Sequence, residues 1–274
     1  MGTLYLVATP IGNLEDVTLR ALRLLGEVSL IAAEDTRTIR KLLTHHGIPA
    51  PRLLSYTERN RRQRTPSILV ALDEGDVALV SEAGMPGISD PGVHLVEAAV
   101  AAGHRVVPVP GSSALTAALA ASGLPTRRFH YLGFLPRQPA QRRKLLREVA
   151  TLTETLVAFE APHRLRVALV DLRDALGDRR VAVCRELTKL HEEIFRGTLS
   201  DAIDHFAEPR GEFTLVIEGA GDAKPKPEEA IDIDRALLEL KSRGVRAREA
   251  VQQVTQRSGL SHREVYRRWL ALSD

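Results

Sequence analysis

The chain has almost no cysteine. Cys184 stands alone among 274 residues, which excludes an internal disulfide and fits a reducing, cytosolic compartment. Long apolar runs are missing too. The N-terminal MGTLYLVATP is far too short to span a membrane and lacks the basic flank of a secretion signal. No G-x-G-x-x-G follows the first apolar run and no G-x-x-x-x-G-K occurs, so the dinucleotide and P-loop readings lack their phosphate cradle. No His/Cys cluster has the spacing of a structural metal site. What is present is globular: 44% hydrophobic and 27% charged residues, in a length that suits two domains, each able to bury a core. Net charge is only +3, but the arginines are unevenly placed, and that matters more than the total.

The first half alternates short apolar runs with helical stretches. Strands are expected at Leu4–Ala8, Ser29–Ala33, Leu53–Leu54, Val77–Val80 and Arg105–Val109. The intervening helices are expected near 18–25, 38–46, 64–74 and after Pro91, with a small-residue helix over 114–122. A β-α unit repeated five times predicts a mostly parallel sheet covered on both faces. Val77–Val80 runs straight into Ser81-Glu82-Ala83-Gly84-Met85-Pro86-Gly87, a glycine loop at a strand's carboxyl end, where ligands bind in such folds. Asp90-Pro91 then reads as a helix start, with Asp90 as the cap. Two more loops of this kind, Thr9–Asn13 and Pro110–Ala114, are rich in Gly, Pro and Ser and poor in lysine. They suit a ligand held by backbone groups. Glu34-Asp35 adds two carboxylates at a fourth strand end, where a cap for the next helix is the plainer reading of Asp35.

The second half is basic and mixed. From Arg127 to Arg147 there are seven Lys/Arg and no acidic residue. Phe129, Tyr131 and Phe134 alternate with small or apolar residues, and 138–147 reads as a basic helix. Strands are expected at Leu156–Phe159, Val181–Arg185, Glu193–Phe195 and Phe213–Ile217. The division that results is 1–123, a parallel α/β domain; 124–222, a second, mixed α/β domain; 223–230, a proline-rich charged linker; and 231–274, a small helical module. In the module, Ile233, Leu237 and Leu240 form one face, Gly259 breaks a second helix, and Ser261 caps a third in a capping box with Glu264. Arg263, Arg267 and Arg268 on that last helix give it the look of a helix-turn-helix; a helical cap or a dimer contact explains it equally well.

Seven blocks in order now carry a resemblance: ATPIGNLEDVTLRA, AEDTRTIRKLL, SEAGMPGISDPG, PGSSALTAALAASGLP, GFLPR, FEAPHR and RELTKLHEE. Together they resemble the tetrapyrrole-methylase-type family, and most of all its branch that 2′-O-methylates a cytidine of small-subunit ribosomal RNA. Glu82 and Met85 stand where that pattern has Asp and Thr, which keeps the carboxylate. Thr57-Glu58-Arg59-Asn60 only partly matches a His-Asn-Glu block.

The resemblance implies two α/β domains with S-adenosylmethionine in the cleft between them, and a homodimer; the cysteine usage and the short N-terminal apolar run already predict a cytoplasmic chain with no membrane partner. Position by position it places the cofactor on Pro10, Ser81, Glu82, Ala83, Gly84, Gly87, Ile88, Ser113 and Ala114 of the first domain. From the second it implies Phe159, Leu187, Thr188 and Thr214. A hydroxyl is a weak nucleophile and wants a base or a nearby cation. Glu34, Asp35, Glu160, His163 and Lys189 follow strands or adjoin cofactor blocks, and the sequence does not choose among them. RNA, as 16S rRNA or the assembled small subunit, would meet the arginines: Arg37, Arg59, Arg61 and Arg62, then Arg137, Arg142 and Arg143, then Arg263 and Arg267. Two other readings stay open, a methylase of a small tetrapyrrole precursor and a non-catalytic RNA-binding protein.

Overall fold

A computed structural model describes residues 1–221, 233–243, 245–258 and 262–272, with the side chains of 256–258 and 262–263 outside the description. The expected linker over 223–230, the Gly259 break and the Ser261 cap lie outside the described residues. Met1–Ala220 form one compact unit and Gly221–Asp274 another.

The first unit holds two sheets. In the first, β1 (Thr3–Val7), β2 (Leu30–Ala33), β3 (Arg52–Ser55), β4 (Val77–Val80) and β5 (Arg105–Val109) run in the order β3-β2-β4-β1-β5, and every pair is parallel. Each strand of β2 and β4 is buried along its whole length, because side chains that alternate between faces meet helices on both. Ile31, Ala78 and Val80 face α1 (Leu19–Glu27) and α2 (Thr36–His45), through Leu24, Leu25 and Leu42. Leu30, Ala32 and Leu79 face the other way, toward α3 (Arg61–Glu74) and α4 (Val93–Ala101), through Ile68, Leu72 and Leu95. One expectation fails here. Asp90 does not cap α4; the helix starts at Val93 and Gly92 holds the cap position. The loop from β4 is two residues longer than the Asp-Pro pair implied, and Asp90 stays in the loop.

The second sheet has β6 (Phe129–Phe134), β7 (Thr155–Glu160), β8 (Arg180–Arg185), β9 (Glu193–Thr198) and β10 (Phe213–Ile217), ordered β6-β7-β10-β8-β9. Only β6–β7 is parallel, so this sheet is mixed. The alternating aromatics of 129–134 form the edge strand β6. One face of the sheet packs on α6 (Pro139–Glu148), α7 (Pro162–Leu176) and α8 (Leu199–His205). The other face is covered by α5 (Ala114–Ala121), whose Ala118 and Leu119 join Val157, Ala182, Cys184 and Val216. A helix that leaves the first sheet thus caps the second, and the loop before it is pinned between them. Burial pushes the Cys184 thiol up to about 11, which leaves it inert.

Among the described residues the second unit has three helices, α9 (Ile233–Ser242), α10 (Ala247–Ser258) and α11 (His262–Ala271), around Leu237, Val251, Val254, Val265 and Trp269. Arg268 pairs with Asp234 at 3.4 Å across it, and the Lys241 ammonium donates to the Leu272 carbonyl at 2.6 Å. No helix among the described residues is long and apolar enough to cross a membrane.

Candidate active site

Parallel strands send all their carboxyl ends to one edge. In the first sheet that edge collects the loops after β1, β4 and β5, with the end of β2 beside β4. Thr9 and Gly84 exchange backbone hydrogen bonds in both directions, at 2.9 and 3.0 Å, and so lock the first loop to the second. Gly84 has φ +77°, a conformation few other residues hold, and the Ser81 hydroxyl donates to the Ala83 and Gly84 carbonyls to set the turn. From the second sheet, the turn after β8 comes up against the first loop: the Asn13 amide donates to the Thr188 hydroxyl at 3.1 Å. Gly12 has no room for a side chain there. An added Cβ would lie 2.9 Å from the Thr188 hydroxyl and 3.1 Å from the Leu187 carbonyl. Ser89 and Tyr131 bridge the same two halves further out, hydroxyl to hydroxyl at 2.6 Å.

These contacts enclose a cleft of about 800 Å³ between the sheets. Its first wall contains Pro10, Ala83, Gly84, Ile88, Ser113 and Ala114; its second contains Phe159, Leu187 and Thr214. Glu82 lines it as well; Ser81, Gly87 and Thr188 do not line it but belong to the loops that form it. Phe134, 55% exposed, stands at the mouth with its ring edge-on to Phe159 at 5.5 Å, and Tyr131 packs on the same ring at 5.3 Å.

The five expected catalytic residues separate by their partners. Asp35 is off the cleft. It caps α2 through the Arg37 amide and grips the Arg37 guanidinium at 2.7 Å, and those two hydrogen bonds hold its carboxyl down at about 2. Glu160 is 1% exposed and accepts from the Ala161 amide and Arg164, yet burial outweighs both and raises its pKa. Lys189 lines the cleft but is held between Glu186 and Glu212, each at 2.9 Å. Burial alone would lower its pKa, and these two carboxylates more than reverse it. Glu34 and His163 are the two that line the cleft with no ion-pair partner among the described residues. The Glu34 carboxylate accepts one bond there, from the Glu82 amide at 3.2 Å.

Sequence reasoning missed a sixth candidate, a carboxylate. Asp90, set aside as a helix cap, lines the cleft beside Glu34 and Glu82. Burial, then the charge of Glu34, push it up to about 7, against a hydrogen bond from Ser81. The signal was present but ambiguous, since Asp before Pro is a common helix start. Among the expected RNA contacts, Arg37 is 86% exposed though paired with Asp35, Arg61 pairs with Glu58, and Arg59, Arg62, Arg137 and Arg267 are exposed. The Arg263 side chain lies outside the described residues. Arg142 must be withdrawn. It is 3% exposed, and its guanidinium is tied to Asp171 at 2.6 and 2.8 Å, so it faces the interior; Arg143 beside it remains on the surface.

Comparison with known proteins agrees with this geometry. Residues 3–203 match the family described as Tetrapyrrole (Corrin/Porphyrin) Methylases. A protein of Halalkalibacterium halodurans named Ribosomal RNA small subunit methyltransferase I is 49% identical over 273 residues, covering 97% of this chain and 93% of that protein. A Thermotoga maritima protein of the same name is 52% identical over 222 residues, which are 80% of this chain but 99% of the relative. The solved uroporphyrin-III C-methyl transferase from Thermus thermophilus, complexed with S-adenyl homocysteine, superposes with a TM-score of 0.56 at 23% identity, over 79% of this chain and 97% of its own; that likeness speaks to the fold. With two α/β sheets closing on a glycine-lined cleft and a family match along most of its length, the chain belongs to the tetrapyrrole (corrin/porphyrin) methylase family.

Proposed function

We propose that this chain is a methyltransferase that uses S-adenosylmethionine to methylate the ribose 2′-oxygen of a cytidine in small-subunit (16S) ribosomal RNA, as a cytoplasmic homodimer. The observation that carries the reading is the 49% identity, along 97% of the chain, to a protein of that naming. The donor suits the cleft. It has a sulfonium, an ammonium and a carboxylate but no phosphate. The first turn of α5 has no side-chain cap and so offers free amides to a carboxylate. Glu34 and Glu82 offer negative charge to the cationic groups, and Gly84, Ala114 and Thr214 leave space beside backbone. When bound, the cofactor supplies an activated methyl group. The protein's part is to seat the ribose and take its proton. Asp90 has the pKa for that, since a base works best when it titrates near the operating pH. Asp35, Glu160 and Lys189 serve as positioning residues in this scheme, with Glu34 and His163 beside the substrate.

The charge of the cleft separates this reading from the tetrapyrrole alternative. Of the carboxylates that line it, Glu34, Glu82 and Asp90 have no ion-pair partner among the described residues; they disfavour a polycarboxylate substrate but accept an uncharged ribose. Transfer of a tritiated methyl group tests both. Assembled small subunits, free rRNA and a porphyrinogen precursor are offered in parallel. Label recovered as 2′-O-methylcytidine supports the proposal; label in the porphyrinogen alone replaces it; cofactor binding with no transfer leaves a non-catalytic RNA-binding protein.

Two further results are expected. Gly12→Val should prise the first loop from Leu187 and Thr188 and weaken S-adenosylhomocysteine binding at least ~10-fold by calorimetry, since misplacement by an ångström is costly in a built site. An unchanged affinity would mean the two loops need not meet. A chain ending at Ala220 should bind the same ligand with wild-type affinity, because the Thermotoga relative is matched almost whole by 80% of this chain, the share of the first unit. Loss of binding in that truncation would give the helical module a part in the cleft.

A further inference from the structure

Beside the cleft lies a second concavity, about 620 Å³, built almost wholly from one side of α2. Residues 37, 40, 41, 44 and 45 recur at helical spacing and present one face. On that face stand Arg37, Arg40, Lys41 and His45, while Thr38, one residue round the helix, belongs to the cleft. Leu14 lines both, so the two spaces adjoin there. Their charges are opposed. The Arg37 charge is answered by Asp35, but Arg40 and Lys41 are exposed and have no carboxylate partner among the described residues. Buried Ile39, Leu42 and Leu43 on the other side hold the helix rigid against the first sheet.

We propose that this α2 groove binds the sugar-phosphate backbone of the RNA strand next to the target nucleotide, with Arg40 and Lys41 as its phosphate contacts. The inference rests on the RNA reading of the cleft and gives it a second, separate anchor. Glu34 and Glu82, with Asp90 as it ionises, disfavour phosphates in the cleft itself. Adjacency at Leu14 lets the uncharged ribose enter the cleft while the flanking phosphates stay over the basic face. Attraction by the basic face of α2 and repulsion by the carboxylates of the adjoining cleft would then fix the register of the strand.

The test uses the full-length chain and a 5′-fluorescein-labelled single-stranded rRNA fragment, read by anisotropy over a range of salt. The Arg40→Ala/Lys41→Ala variant should bind at least ~10-fold more weakly near ~0.1 M salt, and its salt slope should fall by about 1.4, since each phosphate contact on a single strand contributes about 0.7. Arg40→Lys/Lys41→Arg, which keeps both charges, should bind like wild type. Arg105→Ala, an exposed arginine at the opposite end of the first sheet, controls for net charge and should also bind like wild type. With assembled small subunits the double alanine variant should raise KM and leave kcat and cofactor affinity unchanged. Equal RNA affinity and equal slope in wild type and the double alanine variant would overturn the groove. Wild type that transfers no methyl to RNA would overturn the cleft reading instead, and the anisotropy result would still decide the groove.

Discussion

Asp90→Asn should lower methyl transfer by about 10²- to 10⁴-fold at saturating cofactor and RNA, the usual contribution of a positioned base. Asparagine keeps the shape and the Ser81 contact but cannot take a proton. Wild-type turnover should rise with pH through an apparent pKa near 7, the value to which burial and Glu34 push this carboxyl, and the variant should lack that rise. Stability moves the other way. A carboxyl whose folded pKa lies above its unfolded value of 3.8 favours the folded state fully below that value, and the advantage is lost as the pH climbs through about 7. The variant should therefore melt at a relatively higher temperature than wild type as the buffer moves from about pH 5 to about pH 8. Turnover within about threefold of wild type across that range would remove Asp90 from the reaction and return the role to Glu34 or His163.

The second large effect concerns folding alone. Arg142→Ala should destabilise the first unit by about 3–5 kcal/mol, because it strands the Asp171 carboxylate in the interior between α6 and α7. In a unit of this size that is a fall in Tm of roughly 6–20 °C. Replacing both partners, Arg142→Met with Asp171→Leu, should recover most of the loss, since removing both charges leaves nothing unpaired. Below the melting range, Arg142→Ala should bind RNA as wild type does. A Tm within about 2 °C of wild type would mean that Arg143, 3.7 Å from the other Asp171 oxygen, takes over the pairing.

These two residues also mark where reading a sequence stops. The alternation of strands and helices was legible because burial on both faces demands apolar runs such as VALV and LIAA, and the three glycine- and serine-rich loops were legible because so many small residues exceed the needs of a turn. Arg142 looked like its exposed neighbours, since a basic helix seen as a string does not say which of its faces is inward. Its spacing of four from the buried Leu146 was the available clue. Asp90 looked like a cap, since local chemistry offers a helix start before it offers a cleft.

From composition and local pattern alone came the mixed and parallel sheets, the helical tail and the set of loops at strand ends, because period, turn chemistry and charge act over a few residues. Only the tertiary structure decided which carboxylates keep a free face, which arginine is spent on the core, and that the basic face of α2 adjoins a cleft lined by Glu34, Glu82 and Asp90. Those depend on neighbours brought together from far along the chain, as Asn13 is to Thr188, and no local rule reaches that distance.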